Sequence, residues 1–170
     1  MPTPYATVRW PRWLVISAGV IAADQLSKAA VVAAIPEGGG WIVTRFFSLV
    51  LTYNTGAAFS FLASGSGWQR WLFTAIAVVA AIVIVSLLRR GGGAVYCAGL
   101  ALILGGALGN LYDRLAFGKV VDFLLFHYAG WAYPAFNVAD SAITVGAALL
   151  IADSFRRRQR DRAEAAKETR

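Results

Sequence analysis

The chain has 170 residues, of which 58% are hydrophobic and 15% charged, and its formal net charge is +7. Soluble globular domains carry about 25% charged residues, so this composition argues against one. A single cysteine and a single histidine exclude an internal disulfide, a cysteine-based metal site and an imidazole cluster, and nothing in the chain calls for a cofactor.

Residues 1–13 are basic and proline-rich, with Arg9 and Arg12 beside Trp10 and Trp13. Residues 14–35 are apolar apart from Ser17, Asp24, Gln25, Ser27 and Lys28, and about 20 helical residues cross a bilayer. A cleavable signal peptide would have a shorter core without an aspartate and a lysine, so this run is read as a span. Residues 36–67 break the helical pattern: proline and glycines at 36–40, a β-branched and aromatic run to Tyr53, then Asn54-Thr55-Gly56 and a Ser-Gly repeat. They predict a small extramembrane β element flanked by loops. A second span is expected over 68–88, with Arg70 as its only charge, followed by a basic turn of Arg89, Arg90 and three glycines. A third is expected over 94–115, then an extramembrane loop or helix over 116–137, and a fourth span over 138–155. The tail, 156–170, is basic and frayed or helical. The fold class is therefore an all-α integral membrane bundle of four helices with a small β element, forming one domain.

Positive charge sets orientation. With four spans, Arg9, Arg12, Arg89, Arg90 and the tail arginines fall on one side and Arg45 and Lys119 on the other. This predicts both termini in the cytoplasm, and it explains the net charge by membrane topology and anionic lipid rather than by nucleic acid. All six tryptophans fall at span ends or in loops, as an interfacial belt requires.

Charged groups inside a bilayer are costly and mark function or a partner. Here the polar residues gather in the outer half: Asp24, Gln25 and Lys28 on span one, Asn110, Asp113 and Arg114 at the end of span three, and Asp140 at the start of span four. Asn54, Asp122 and Asn137 lie in the adjoining outer segments. Asp24 and Lys28 are four apart and share a helix face, as do Asn110, Asp113 and Arg114. Ala101, Gly105 and Gly109 form a small-residue stripe that admits a close neighbour. Plainer readings stand beside these. Asp24 and Lys28 make sense as a self-neutralising ion pair, Asp113 beside Arg114 as interfacial snorkelling, Asp140 as a helix N-cap, Asp122 as a loop residue and Cys97 as a small buried hydrophobe. Two aspartates beside apolar residues at one membrane depth point instead to acid–base chemistry. Like charges resist ionising together, so such a pair shares a proton. Asp140, at a helix N-terminus, is the ionised partner. A four-span transporter or channel using Asp24 and Lys28 is the main alternative, though it would spread polar residues through both leaflets. A non-enzymatic scaffold would leave the two aspartates without a role.

These residues resemble the bacterial lipoprotein signal peptidases, the signal peptidase II family. Five motifs carry the resemblance: Asp24-Gln25-Leu26-Ser27-Lys28, Asn54-Thr55-Gly56-Ala57-Ala58-Phe59, Gly105 to Arg114, Gly118 to Phe123, and Phe136-Asn137-Val138-Ala139-Asp140-Ser141. The resemblance implies an intramembrane aspartic endopeptidase of the bacterial inner membrane, with its β element and the 116–137 segment periplasmic. It would cleave diacylglyceryl-modified prolipoproteins just before the lipidated cysteine. It further implies that Asp122 and Asp140 are catalytic and that Asn54, Gly56, Asn110, Arg114 and Asn137 line the substrate cleft. Asp24, Lys28 and Asp113 would support the fold or the site. The expected partners are lipid-modified precursors and membrane phospholipid, and the enzyme is expected to act as a monomer without metal.

Overall fold

The computed structural model describes residues 10–55 and 67–168. Four helices are long and apolar enough to cross a membrane: α1 (Pro11–Ala34), α2 (Trp68–Arg90), α3 (Ala94–Phe117) and α4 (Val138–Glu168). Between them lie β1 (Gly40–Thr44) and β2 (Phe47–Asn54), then β3 (Val120–Tyr128) and β4 (Trp131–Ala132).

α3 is the central helix, packed against α1, α2 and α4. Its small residues make this possible. A methyl group on Gly106 would strike the Ala139 carbonyl of α4, and one on Gly105 would strike Ser17 of α1. At the α1 crossing the Ser17 hydroxyl donates to the Ala101 carbonyl at 2.8 Å. The small-residue stripe is thus packed against α1 at Ala101 and Gly105, while Gly106, one residue off it, admits α4.

The strands form one antiparallel sheet in the order β1-β2-β3-β4. The loop or helix expected over 116–137 is instead mostly strand. Val120–Tyr128 is rich in β-branched and aromatic residues, but its pairing partner β2 is some seventy residues earlier, and no local signal reveals such pairing. Gly118 ends α3 in the left-handed conformation (φ 77°), its N–H donating to the Arg114 carbonyl. That cap turns the chain directly into β3. β2 carries a register shift between Leu49 and Thr52, and Thr52 lies opposite Asp122. One extra residue at this point bends the strand beside that carboxylate. Val31 of α1 and Ile35 at its C-cap pack with Leu51, Val121 and Phe123, which fixes the sheet on the end of the bundle. α4 does not stop at 155. It runs on to Glu168, because the tail mixes arginines with strong helix formers such as Ala, Gln and Glu.

Candidate active site

Asp122 lies in β3 between Val121 and Phe123, all three buried, and is 2% exposed. It is a strand residue and not the loop residue that the plainer reading allowed. Asn137 stands at the N-cap position of α4 and is fully buried. Its side-chain oxygen accepts the Asp140 N–H at 2.9 Å, and the Asp140 carboxylate in turn accepts the Asn137 N–H at 3.3 Å. This is a reciprocal capping box. Asp140 is therefore the third helical residue, and the N-cap role considered for it belongs to Asn137. The Asn137 amide nitrogen contacts Asp122 Oδ1 at 2.7 Å, the Val121 carbonyl at 3.1 Å and Asn110 Oδ1 at 3.1 Å. One asparagine thus touches both aspartates, through its side-chain amide on one and its backbone and side-chain oxygen on the other.

Asn110 provides the second link. Its amide nitrogen donates to Asp140 Oδ1 at 2.8 Å, while its oxygen accepts from Lys28 Nζ at 3.0 Å. Lys28 Nζ also contacts Asp24 Oδ2 at 2.7 Å and Asp113 Oδ2 at 2.9 Å. An ammonium has three N–H donors, and all three are used. Asp24 and Lys28 are therefore no self-contained pair, because one cation serves two carboxylates. Asp113 does not snorkel: it is 1% exposed and also accepts the Val121 N–H at 3.2 Å, tying α3 to β3. Asp24 Oδ1 accepts the Ala139 N–H at 2.9 Å, capping the first turn of α4 from α1.

Arg114 departs from this cluster. Its guanidinium donates to the Asn110 carbonyl at 3.3 Å and lies over the Phe73 ring, 5.3 Å from its centroid. Asn110 and Asp113 thus meet on Lys28, while Arg114, on the same stretch of helix, lies over Phe73 of α2. Asn54, at the end of β2, hydrogen-bonds through its side chain to Asp122. Gly56 lies outside the described residues. Gln25 was seen as polar but not placed at the site. Its amide nitrogen bridges Asp24 Oδ2 at 3.1 Å and Asp113 Oδ1 at 2.9 Å. Its neighbour Asp24 was the available signal, but a residue one position away points to a different side of a helix.

Electrostatics separate the two carboxylate groups. Burial, and next the charge of Asp140, push the Asp122 carboxyl up to about 7, against the opposing hydrogen bonds from Asn54 and Asn137. Asp122 thus keeps its proton far above the usual carboxylate range and loses it around pH 7. A cavity of about 350 Å³ opens beside Asp140, walled by Tyr133, Phe136, Ser141, Thr144 and Val145. It brings an apolar ligand up against a carboxylate. Cys97 is fully buried in the α2–α3 core with Ile84, Leu88 and Leu100, at the other end of α3.

The transporter alternative does not survive this geometry. Lys28 and Asp24 are tied into contacts between helices, and the relatives of the chain are peptidases. A family profile described as "Signal peptidase (SPase) II" matches residues 16–156. A protein of Paraburkholderia phytofirmans named "Lipoprotein signal peptidase" is 60% identical over 146 residues, covering 85% of each chain. One of Burkholderia ambifaria with the same name is 59% identical, covering 85% of this chain and 88% of its own. A bacterial membrane enzyme solved by the in meso method at 1.9 Å superposes with a TM-score of 0.75 at 29% identity, covering 84% of this chain and 92% of the other. With the profile spanning most of its length and its four helices and sheet matching a solved membrane enzyme, the chain belongs to the signal peptidase II family.

Proposed function

We propose that this aspartic endopeptidase, which removes signal peptides from prolipoproteins, uses Asp122 and Asp140 as its catalytic pair. The observation that carries the assignment is Asn137, bonded to both carboxylates while Asp122 retains a proton near neutrality. Asp140 takes a proton from water as the water oxygen attacks the scissile carbonyl carbon, and Asp122 gives its proton to the carbonyl oxygen. In the collapse of the resulting diol the C–N bond breaks. The leaving amine takes the proton held by Asp140, and Asp122 recovers its own. In so coupled a pair the proton belongs to both groups jointly.

The substrate is a precursor with a diacylglyceryl-modified cysteine, cut just before that residue. The apolar cavity beside Asp140 suits a lipid-bearing chain, and Asn54, Gly56, Asn110, Arg114 and Asn137 are the residues assigned to hold it. In the bacterial inner membrane, the arginines at 89, 90, 156–158 and 160 support an orientation with both termini in the cytoplasm. The sheet and the aspartate pair then face the periplasm, where acyl chains can stay in the outer leaflet during cleavage. The working unit is a monomer.

Asp122→Asn and Asp140→Asn test the assignment on a lipidated precursor in detergent. Each keeps the side-chain shape but cannot share the proton, so turnover should fall at least about 1,000-fold with the fold retained. Near-normal turnover in either variant would refute the pair.

A further inference from the structure

A cavity of about 780 Å³ lies at the end of the bundle away from Asp122 and Asp140, between the α2–α3 turn and the extension of α4. Thirteen residues of α4 separate Asp140 from Asp153 in its wall, about 20 Å along the helix. Four arginines line it, Arg90 from α2 and Arg156, Arg157 and Arg160 from α4, against a single acidic lining residue, Asp153. Asp153 is already engaged, its carboxylate 2.6 Å from Arg157 Nε. Arg157 is further held over the Tyr96 ring, 5.0 Å from its centroid. It forms a fixed wall and leaves Arg90, Arg156 and Arg160 facing the cavity.

The floor is Gly91–Gly93, leading into the N-terminus of α3. Gly93 is the N-cap and provides no side chain to satisfy the first-turn amides, so that end presents unpaired N–H groups and a partial positive charge. Several guanidinium groups, a helix N-terminus and little compensating acid favour a phosphate-bearing anion. The cavity exceeds what a lone phosphate requires, and it opens at the bundle end where the arginines of the α2–α3 turn and the tail collect.

We infer that this pocket binds a phosphate group, as carried by an anionic phospholipid headgroup, at a site separate from the aspartate pair. A diffuse basic tail would attract anionic lipid without regard to which arginines remain. A pocket would depend on those lining it.

The test uses the full chain in detergent, titrated by native mass spectrometry with phosphatidylglycerol or phosphatidylcholine, and by calorimetry with inorganic phosphate. Arg90→Gln/Arg160→Gln removes two lining charges, and Arg162→Gln/Lys167→Gln removes two from the distal tail. Phosphatidylglycerol should bind at least tenfold better than phosphatidylcholine. That preference should drop tenfold in the lining variant and change less than twofold in the distal one. Ala94→Glu, which introduces an anion where the helix dipole favours one, should abolish binding without unfolding the chain. It keeps the test open if the double variant folds poorly. Millimolar binding of inorganic phosphate with the same dependence on Arg90 and Arg160 would support the site and identify soluble phosphate as its ligand. Equal losses in the lining and distal variants, or no loss in either, would overturn it.

Discussion

Two pairs of aspartates lie side by side in this molecule, all buried except the half-buried Asp140, and are treated in opposite ways. Asp24 and Asp113 share the ammonium of Lys28, and Gln25 spans the two from the other side. Asp122 and Asp140 are held by amides, Asn54 on the first, Asn110 on the second and Asn137 on both, and among the described residues no cation hydrogen-bonds directly to either carboxylate. Carboxylates clamped by a cation serve as struts. Carboxylates held by neutral donors keep their geometry while one proton stays available. The first pair fastens α1, α3, α4 and β3 together, and the second inherits its position from that frame through Asn110.

Substitutions can break this contrast. The largest effect on stability should come from Lys28→Met, which fills similar volume but leaves Asp24 and Asp113 without their cation. Removing one partner of a buried ionic group costs about 3–5 kcal/mol, so thermal unfolding in detergent should show a severe loss. A small loss would mean that the frame does not depend on the ammonium. Asn137→Ala should come next, at about 2 kcal/mol, through loss of the helix cap and of donors to buried acceptors. It should also reduce turnover strongly, because Asn137 aligns both members of the pair. A stability loss with turnover per folded molecule unchanged would reduce Asn137 to a cap.

Asp122→Asn should act in the opposite sense on stability. A carboxyl raised from 3.8 to about 7 in the folded state contributes stability that is complete below its unfolded value and lost as pH rises through about 7. At pH 8 the parent carries a buried anion that asparagine lacks, so the variant should melt higher, by about 2–4 °C for each kcal/mol gained. An unchanged or lower melting temperature would contradict the raised carboxyl. The smallest effect is expected at Cys97→Ala, about 1 kcal/mol for a trimmed core side chain. Turnover should be unaffected, as the thiol lies in the α2–α3 core away from the aspartates.

The helices were legible because an apolar run of about twenty residues is a local signal, and α2 from Trp71 to Leu88 is apolar apart from Thr74 and Ser86. Asn137-Val138-Ala139-Asp140 was legible as a motif, although only the structure assigns the cap to the asparagine and the third helical position to the aspartate. The strand around Asp122 was not legible, since its partner β2 is remote and the bend opposite it depends on register. The contacts of Gln25 and Asp113 were not legible for the same reason, although both residues stood in the motifs. Their partners lie across a helix interface, on α3 for one and on α1 and β3 for the other, and spacing within one helix says nothing about either. Arg114 shows the converse, sharing a turn with Asp113 yet turning away to Phe73.

The most direct test of the contrast between the two pairs is to observe the protons themselves. Carbon-13 carboxyl spectra of the aspartate-labelled enzyme can be followed from pH 4 to 9 in the parent, in Asp122→Asn and in Asp24→Asn. The account predicts one carboxyl that loses its proton near pH 7, absent in Asp122→Asn and retained in Asp24→Asn. Complete ionisation of every aspartate below pH 5, or a late-titrating signal that survives Asp122→Asn, would contradict it.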